Sequence, residues 1–403
     1  MRQNIQQDVQ VNFSYPCIFA EDVFHLEHPA IVDVLVQGPA PARRPRVLVI
    51  VDQGVAERHP QLEKTLTAYF AHHAKRLELV AAPIVVPGGE QVKNDPQYVQ
   101  QMLELVNRYA MDRHSYIFAI GGGALLDMVG YAAAICHRGI RLVRFPSTVL
   151  AQNDSGVGVK NGINVFGKKN FLGTFAPPYA VINDFSFLPT LDDRDWRGGM
   201  SEAVKVALLK DAAFFDFLED HAAKLAARDM NAMQQLIIRC AELHLQHIAT
   251  SGDPFEAGTS RPLDFGHWAA HKLEQISYFR IHHGEAVALG LALDSTYSML
   301  EGRLSESSWE RILRVFVAMG LDVFVPEMLQ HHAGQQLVLL QGLEEFREHL
   351  GGELTIMLLE DIGHGVETHH MDEALIVRSL EVLQSWAAAG GRKLEVGGRR
   401  TEV

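Results

Sequence analysis

The chain has 403 residues, of which 47% are hydrophobic and 21% charged, a balance typical of a globular protein with a sizeable core. Its formal net charge is -13 and it has no long run of Lys or Arg, which argues against a nucleic-acid-binding surface. Because no stretch is apolar enough to span a bilayer and the N-terminus lacks signal-peptide features, we expect a cytoplasmic protein without a membrane partner.

The first half of the chain alternates short β-branched runs with helical segments. Four apolar runs predict strands, at 46–52, 83–90, 115–123 and 142–147. Two segments with apolar residues at helical spacing lie between them, at 61–79 and 95–110. Strands that alternate with helices predict a mostly parallel sheet covered on both faces. Ligands of such sheets bind beyond the carboxyl ends of the strands.

The second half has a different pattern. From Gly198 onward, Ala, Leu and His recur at helical spacing with few β-branched runs, which predicts an all-helical second domain. We therefore predict one domain over 1–190 and another over 191–385. The polar, glycine-rich segment 386–403 is predicted to be a flexible tail.

A glycine-rich turn, GGGALLD (121–127), follows the third predicted strand and precedes a helical segment. Glycines let the backbone approach a phosphate, and a helix N-terminus offers free N–H groups. The turn lacks the full G-x-G-x-x-G fingerprint, so an ordinary strand-to-helix turn would look similar. Asp52 at the end of the first strand and Glu90 and Lys93 in PGGEQVK accompany it, and together these turns favour a dinucleotide cleft.

Three segments of the second half carry groups that bind metals. GHWAAHKLE places His267 and His271 on one face of a predicted helix, IHHGEAVALG offers two adjacent histidines, and GGMSEAVK contributes Glu202. Two imidazoles and one carboxylate form a catalytic zinc pattern with an open fourth position. Any one of these histidines could equally be a packed or surface side chain, since the chain has 20 of them. The three segments together favour a metal site.

These segments resemble the 3-dehydroquinate synthases and the wider sugar-phosphate cyclase family, from about Asp52 to Ser305. The motifs occur in family order: PGGE-x-x-K, GGG-x-x-x-D, HRG, P-S-T-x-L-A-Q-x-D-S-x-V-G-x-K, GKKN, GGMSEAVK, GH-x-x-x-H and HGEAVALG. The resemblance implies an α/β N-terminal Rossmann-like NAD-binding domain followed by an all-α C-terminal metal-binding domain.

The resemblance also implies roles for individual residues. The implied ligands of a divalent metal, Zn²⁺ with Co²⁺ or Mn²⁺ as alternatives, are Glu202, His267 and His283. The residues implied around NAD⁺ are Asp52, Glu90, Lys93, Gly122, Gly123, Asp127, Ser147 and Thr148. The implied catalytic and substrate-binding residues are Asp154, Lys160, Lys169, Asn170, Lys205, Asp264 and His271. In this family Arg138 of HRG would reach the substrate phosphate from the neighbouring subunit of a homodimer.

The implied activity is that of a phosphorus–oxygen lyase acting on a phosphorylated sugar. In the family, NAD⁺ oxidises a ring hydroxyl to a ketone, which acidifies the adjacent C–H bond. Phosphate is eliminated, the ketone is reduced again, and the ring opens and recloses by an intramolecular aldol step. NAD⁺ is regenerated in each turnover, so no net redox change results.

Three positions depart from the dehydroquinate synthase pattern, all in the implied substrate site. Gln246 replaces a Lys, Ser260 replaces an Arg with Arg261 one place along, and Asp264 replaces an Asn. Without the Lys and Arg, a buried substrate carboxylate would lose roughly 1–3 kcal/mol per missing partner. We therefore expect a ketose phosphate without a carboxylate, of the sedoheptulose type that valiolone synthases use. An authentic 3-dehydroquinate synthase is the alternative, and Arg347 stands where that family has a lysine pair.

Two further classes are rivals. Metal-dependent alcohol and glycerol dehydrogenases share the two-domain plan but release NADH, and they lack the lysine pattern that runs from Lys160 to Asn170. A non-catalytic homologue would have no reason to keep His271 together with all three implied metal ligands. Release of inorganic phosphate separates a cyclase from both rivals, and NADH accumulation identifies a dehydrogenase.

Overall fold

The computed structural model describes residues 4–36, 43–255, 262–331, 336–349, 352 and 354–390. The chain divides into two compact units, one formed by residues up to 147 together with 158–187, the other by 148–157 together with residues from 188 onward. Residues 148–157, which lie in the first domain of the sequence prediction, therefore pack with the second unit. Within the described ranges no helix has the length and apolar character needed to cross a bilayer.

The first unit contains nine strands and six helices among its described residues. The strands are β1 (Cys17–Ala20), β2 (Arg46–Asp52), β3 (Glu78–Leu79), β4 (Ile84–Val86), β5 (Tyr116–Gly121), β6 (Arg141–Pro146), β7 (Lys160–Val165), β8 (Lys168–Phe175) and β9 (Ala180–Asp184). The helices are α1 (Ala30–Leu35), α2 (Gln53–Arg58), α3 (Leu62–His72), α4 (Gln91–Asn94), α5 (Gln97–Arg108) and α6 (Gly123–Ile135).

Seven of these strands form one sheet with the order β1-β9-β6-β5-β2-β3, and β4 also pairs with β2. All of its pairings are parallel, which confirms the predicted sheet. Every residue of β5 is buried, as expected for a strand covered on both faces. The strands β7 and β8 form a separate antiparallel hairpin.

The predicted helix over 61–79 is wrong at its C-terminal end. The helix α3 stops at His72, and β3 occupies Glu78–Leu79. The backbone N–H groups of Glu78 and Val80 donate to Pro45 O and Val47 O at 2.9 and 3.0 Å. Pairing with the neighbouring β2 thus takes the backbone groups that a longer helix would need.

The second unit is mainly helical, as predicted. Its helices are α7 (Asp193–Lys210), α8 (Ala212–Ala226), α9 (Met230–Thr250), α10 (His267–Ile276), α11 (His283–Leu300), α12 (Glu306–Ala318), α13 (Gln341–His349) and α14 (Glu373–Ala388). A π-helical turn, Ala151–Ser155, also belongs to it. At five helix starts, the side chain of the N-cap residue accepts a hydrogen bond from a free backbone N–H group. These N-cap residues are Asp192, Asp211, Asp229, Ser305 and Asp372.

An antiparallel hairpin accompanies these helices and was not predicted. It consists of β10 (Ile356–Asp361) and β11 (His364–Thr368), and the first four residues of β10 are buried. A tight turn at Gly363, with a φ of 85°, joins the two strands. The helix α14 continues to Ala388, past the predicted domain end at 385, and most of the predicted flexible tail lies outside the described residues.

Candidate functional site

Three helices of the second unit bring the implied metal ligands together. Glu202 lies in the middle of α7, His267 is the first residue of α10, and His283 is the first residue of α11. Their ligand atoms lie within 4.8 Å of one another. Glu202 is fully buried and His267 nearly so. Residues distant in sequence therefore form one compact donor set.

The donor set fits a divalent metal ion. Glu202 Oε1 lies 3.6 Å from His267 Nε2 and 3.4 Å from His283 Nε2, and it forms no hydrogen bond with the described residues. Ligands at about 2.1 Å in a tetrahedron around Zn²⁺ lie roughly 3.4 Å from each other. A buried carboxylate oxygen without a hydrogen bond is costly unless a cation binds it. The spacing and the burial thus both suit a metal ion with one position left open.

The other nitrogen of each imidazole is oriented by a hydrogen bond. His267 Nδ1 lies 3.0 Å from Phe265 O, and His283 Nδ1 lies 3.2 Å from Glu274 Oε2. Acceptors at Nδ1 leave Nε2 unprotonated, which is the form that binds a metal. Glu274 was not among the site residues predicted from the sequence, although it lies seven residues after His267 in α10, a spacing that places both on one helix face.

A buried ammonium group lies beside the donor set. Lys205, one turn after Glu202 in α7, forms an ion pair with the Glu202 carboxylate. Burial alone would raise the pKa of Glu202, but the ammonium group of Lys205 outweighs it and holds that pKa well below its usual range. Burial would likewise lower the pKa of Lys205, but Glu202 and Asp154 together raise it. Both groups are therefore charged at neutral pH.

Asp154 reaches this cluster from the π-helical turn. Burial and the nearby Glu202 would raise the pKa of Asp154, but His244 and Lys205 outweigh them and lower it. His244 of α9 lies with its Nδ1 3.0 Å from Asp154 Oδ1. No spacing in the sequence connects His244 with a residue 90 positions earlier, so only the fold could identify it as a partner of Asp154.

His271 and Asp264 also lie at this cluster. The His271 ring centroid is 5.5 Å from that of His267 and 6.0 Å from that of His283. Asp264 ends a short 3-10 turn, Pro262–Asp264, and its charge contributes to the raised pKa of Lys205. Seven implied site residues thus meet in the second unit, namely Asp154, Glu202, Lys205, Asp264, His267, His271 and His283.

In the first unit, Asp52 lies against two glycine turns. It caps α2 by accepting from Gly54 N at 2.8 Å. A Cβ on Gly88 would come within 2.2 Å of the Asp52 carboxylate, and one on Gly121 within 2.9 Å of Asp52 Cβ. Only glycine allows these turns to approach the acid so closely. Gly122 then precedes α6 in an extended conformation without a side-chain cap, so the first N–H groups from Gly123 onward stay available to an anion.

The residues implied for NAD⁺ and for substrate meet at Lys93. Its Nζ donates to Asp127 Oδ2 at 2.6 Å and to Asn170 Oδ1 at 2.5 Å. Glu90 accepts from Asn164 at 2.6 Å and lies 3.9 Å from Lys169 Nζ. Because Lys169 and Asn170 lie on β8, the hairpin holds the implied substrate residues beside α4 and α6.

The remaining implied residues are more scattered. Lys160 begins β7 and is exposed, and Ser147 N donates to Gly121 O at 3.0 Å. Thr148 belongs to the second unit, where its hydroxyl accepts from Ala151 N at 3.1 Å. Arg138 is exposed in a turn whose residues 137–139 all have positive φ.

The positions that depart from the dehydroquinate synthase pattern are only partly described. Gln246 is exposed on α9, while Ser260 and Arg261 lie outside the described residues. Arg347 on α13 is also exposed and forms an ion pair with Glu344.

Comparison with known proteins identifies the family. Residues 83–198 match the family described as 3-dehydroquinate synthase N-terminal, and residues 199–340 match 3-dehydroquinate synthase C-terminal. The 3-dehydroquinate synthase of Nitrosospira multiformis is 36% identical over 295 residues, which cover 73% of this chain and 78% of that protein.

Two solved structures are similar across most of the chain. The structure of ValA, a 2-epi-5-epi-valiolone synthase from Streptomyces hygroscopicus subsp. jinggangensis 5008 with NAD⁺ and Zn²⁺ bound, has a TM-score of 0.83 and 28% identity, covering 94% of this chain and 99% of that one. A 2-deoxy-scyllo-inosose synthase complexed with carbaglucose-6-phosphate, NAD⁺ and Co²⁺ has a TM-score of 0.73 and 22% identity, covering 92% and 96%, which shows a shared fold. Since both family regions match and the aligned relatives span most of the sequence, the chain belongs to the 3-dehydroquinate synthase family of lyase-type enzymes.

Proposed function

We propose that this protein is a sugar-phosphate cyclase that uses NAD⁺ and a divalent metal ion to close a phosphorylated sugar into a carbocycle. The observation that carries the proposal is the buried donor set of Glu202, His267 and His283 with the ammonium group of Lys205 beside it. The similarity to ValA, whose structure holds NAD⁺ and Zn²⁺, supports the same two cofactors here. Zn²⁺ suits two imidazoles and one carboxylate, and Co²⁺ or Mn²⁺ can use the same ligands.

When bound, NAD⁺ supplies a reversible hydride acceptor and the metal ion supplies a Lewis acid for the reacting hydroxyl and ketone oxygens. We assign NAD⁺ binding to the turns around Asp52, to the start of α6 and to Asp127, which Lys93 holds in place. In the second unit Lys205 keeps its charge at neutral pH, so it can stabilise the negative charge of an enolate or a leaving phosphate. His271 is our candidate for proton transfer, because imidazole can both donate and accept protons near neutral pH.

The proposed substrate is a ketose phosphate without a carboxylate. Within the second unit, the carboxylates of Glu202, Asp154 and Asp264 all raise the pKa of Lys205, whose ammonium group is already paired with Glu202. The Glu274 carboxylate adds a further negative charge beside His283. A substrate carboxylate would therefore meet several negative charges in this cluster, and Asp264 would repel it. Asp264 is instead a suitable hydrogen-bond acceptor for a neutral hydroxyl group.

Phosphate release tests the proposal. We expect the purified protein with NAD⁺ and Zn²⁺ to release inorganic phosphate from a seven-carbon ketose phosphate without accumulating NADH. The His267→Ala variant is the negative control. A higher kcat/KM for the carboxylated dehydroquinate precursor would identify an authentic 3-dehydroquinate synthase with Arg261 as the substitute partner. Accumulation of NADH without phosphate release would identify a dehydrogenase and contradict the proposal.

We further propose a homodimer in which Arg138 binds the substrate phosphate of the neighbouring subunit. His137, Arg138 and Gly139 have φ angles of 51°, 63° and 119°, a run of left-handed conformations that costs free energy and exposes the guanidinium group. Such strain at an exposed arginine supports a binding role rather than a packing role.

Mixed dimers test this arrangement. The Arg138→Ala and His267→Ala variants should each be inactive, whereas co-expressed heterodimers should regain up to about half of the wild-type activity per dimer, because one site is then complete. The Arg113→Ala variant changes another exposed arginine of the same unit and should remain active. An active monomer, or heterodimers as inactive as the parent variants, would rule out the shared site.

A further inference from the structure

The helix α11 carries a buried carboxylate that has no part in the proposed reaction. Asp294 is fully buried, and no basic side chain pairs with it in the described ranges. Its two oxygens accept from Trp268 Nε1 at 2.9 Å and from Gly266 N at 3.1 Å. These two donors lie on either side of the proposed metal ligand His267. The Asp294 carboxylate of α11, the helix that carries His283, thus holds the first turn of α10, the helix that carries His267.

The position of Asp294 on α11 explains why it can reach that turn. His283, Gly290 and Asp294 are at positions i, i+7 and i+11, which share one face of the helix. On this face α11 touches the start of α10 backbone to backbone. A Cβ on Gly290 would lie 2.1 Å from Gly266 O, and a Cβ on Gly266 would lie 2.7 Å from Leu291 N. The two helices therefore have little freedom to separate or to slide where they cross.

The backbone contact between Gly290 and Gly266 does not by itself set the orientation of the first turn of α10. The hydrogen bonds that Asp294 accepts from that turn set it. Gly266 has a φ of 75°, so the chain enters α10 through a left-handed residue that makes no side-chain contacts of its own. An apolar residue at position 294 would leave two buried N–H groups without acceptors, which is unfavourable enough to shift the turn. A carboxylate satisfies both donors at once, since each oxygen accepts one of them.

We propose that Asp294 is a positioning residue that fixes the first turn of α10, and with it His267, relative to His283. The inference rests on the proposed metal site, whose three ligands must meet within a few tenths of an ångström of the right geometry. Asp294 acts through Gly266 and Trp268 and does not itself bind the metal. Its removal should therefore weaken metal binding and change the coordination geometry without removing a ligand.

Metal binding by the full-length protein tests the proposal. The Asp294→Asn variant keeps the size of the side chain but only one acceptor oxygen. Trp268→Phe removes the indole donor together with part of the buried ring, a loss of volume that Trp309→Phe matches in the control. Zn²⁺ affinity would be measured by competition with a chromophoric chelator, and coordination geometry by the visible spectrum of the Co²⁺-loaded protein. We expect Asp294→Asn to weaken Zn²⁺ binding about tenfold or more, the range typical of groups that orient metal ligands. The Co²⁺ spectrum should change in both variants.

The same helix offers a matched control. Trp309 of α12 donates from its Nε1 to the buried Thr296 Oγ1 of α11 at 2.8 Å. This second indole hydrogen bond to α11 does not involve α10. Thr296→Val and Trp309→Phe should destabilise the fold as any lost buried hydrogen bond does. We expect both to leave the Zn²⁺ affinity and the Co²⁺ spectrum unchanged.

The outcomes separate the inference from the function on which it rests. A wild-type protein that binds neither Zn²⁺ nor Co²⁺ would overturn the metal site and the inference with it. A wild type that binds metal, together with an Asp294→Asn variant that matches Thr296→Val in affinity and spectrum, would overturn the positioning role alone. If Asp294→Asn does not fold, Trp268→Phe decides the question by the same two measurements.

Discussion

At the scale of single residues, the donor set of the second unit combines burial with charge. A fully buried carboxylate such as Glu202 is tolerated only with a charged partner, and the ammonium group of Lys205 is that partner. The ion pair therefore prepares the site for a metal, because Glu202 is already ionised before the metal binds. The hydrogen bonds that the two imidazoles donate to Phe265 O and to Glu274 orient the rings for metal binding as well.

The metal content of a His267 variant is the first prediction at this scale. We expect His267→Ala to purify without stoichiometric Zn²⁺, because two protein ligands hold the ion far less tightly than three. His221 on α8, whose Nδ1 contacts Phe217 O, is a suitable control position, and His221→Ala should retain the metal. Elemental analysis of both variants measures the difference. A fully loaded His267→Ala protein would contradict the ligand assignment.

A second prediction concerns the Lys205–Glu202 ion pair. In metal-free protein, Lys205→Met leaves the buried charges of Glu202 and Asp154 without their ammonium partner. Loss of one partner of a buried ion pair typically costs about 3–5 kcal/mol of unfolding free energy. The exposed pair of Arg43 and Asp112 is the control, and Arg43→Met should cost under about 1 kcal/mol. Urea unfolding of both variants measures the costs. Equal losses of unfolding free energy in the two variants would show that the buried ion pair of Lys205 stabilises the fold no more than an exposed one.

At the scale of secondary-structure elements, α7 approaches the segment that carries Asp154 very closely. A Cβ on Gly199 would lie 2.4 Å from Leu150 N, and Gly199 O accepts from Asn153 at 2.7 Å. A Cβ on the adjacent Gly198 would meet nothing within 4 Å. The helix can therefore lie against residues 148–157 only because position 199 has no side chain.

The adjacent glycines provide a matched test of this contact. We expect Gly199→Ala to lower the unfolding free energy by about 1–3 kcal/mol, because the added methyl group forces α7 away from the segment that carries Asp154. Gly198→Ala should instead raise it by about 0.5–1 kcal/mol, since alanine favours a helix over glycine. Chemical denaturation of the two variants checks both signs. A Gly199→Ala protein as stable as Gly198→Ala would show that the contact is not tight.

At the scale of the whole molecule, Asp294 links stability to pH. Burial raises the pKa of Asp294 from 3.8 to about 7, and its two hydrogen bonds offset only part of that rise. The folded protein therefore binds a proton at pH values where the unfolded chain has released it. As pH rises from about 4 to about 7 the folded state must give up that proton at a cost, so stability falls over this interval.

The stability difference between wild type and Asp294→Asn should therefore depend on pH. Between pH 4 and 8, ionisation of Asp294 should lower the unfolding free energy of the wild type by up to about 4 kcal/mol. The Asp294→Asn variant has no ionisable group at this position and should not show this decrease. Urea midpoints of wild type, Asp294→Asn and Thr296→Val across that range measure it, since the histidines affect all three proteins alike. A constant difference between wild type and Asp294→Asn would show that Asp294 does not titrate in this interval.

The class of fold and the composition of the site follow from local features of the sequence. β-branched runs alternating with helical segments are a local property, so the parallel sheet and the helical second unit could be predicted from them. The motif segments likewise contain every ligand of the proposed metal site. Elements without strong local signals were missed, such as β1 and β9, whose pairing with each other joins residues 17–20 to 181–184.

Which residues support that site depends on contacts between elements that are distant in sequence. Asp154 meets His244, and Asp294 meets Gly266 and Trp268, across 90, 28 and 26 positions of sequence. Neither pairing follows from periodicity, because a hydrogen bond between elements depends on how helices cross and not on spacing within one helix. The assignment of residues 148–157 to the second unit has the same cause, since the absent side chain of Gly199 lets that segment pack on α7.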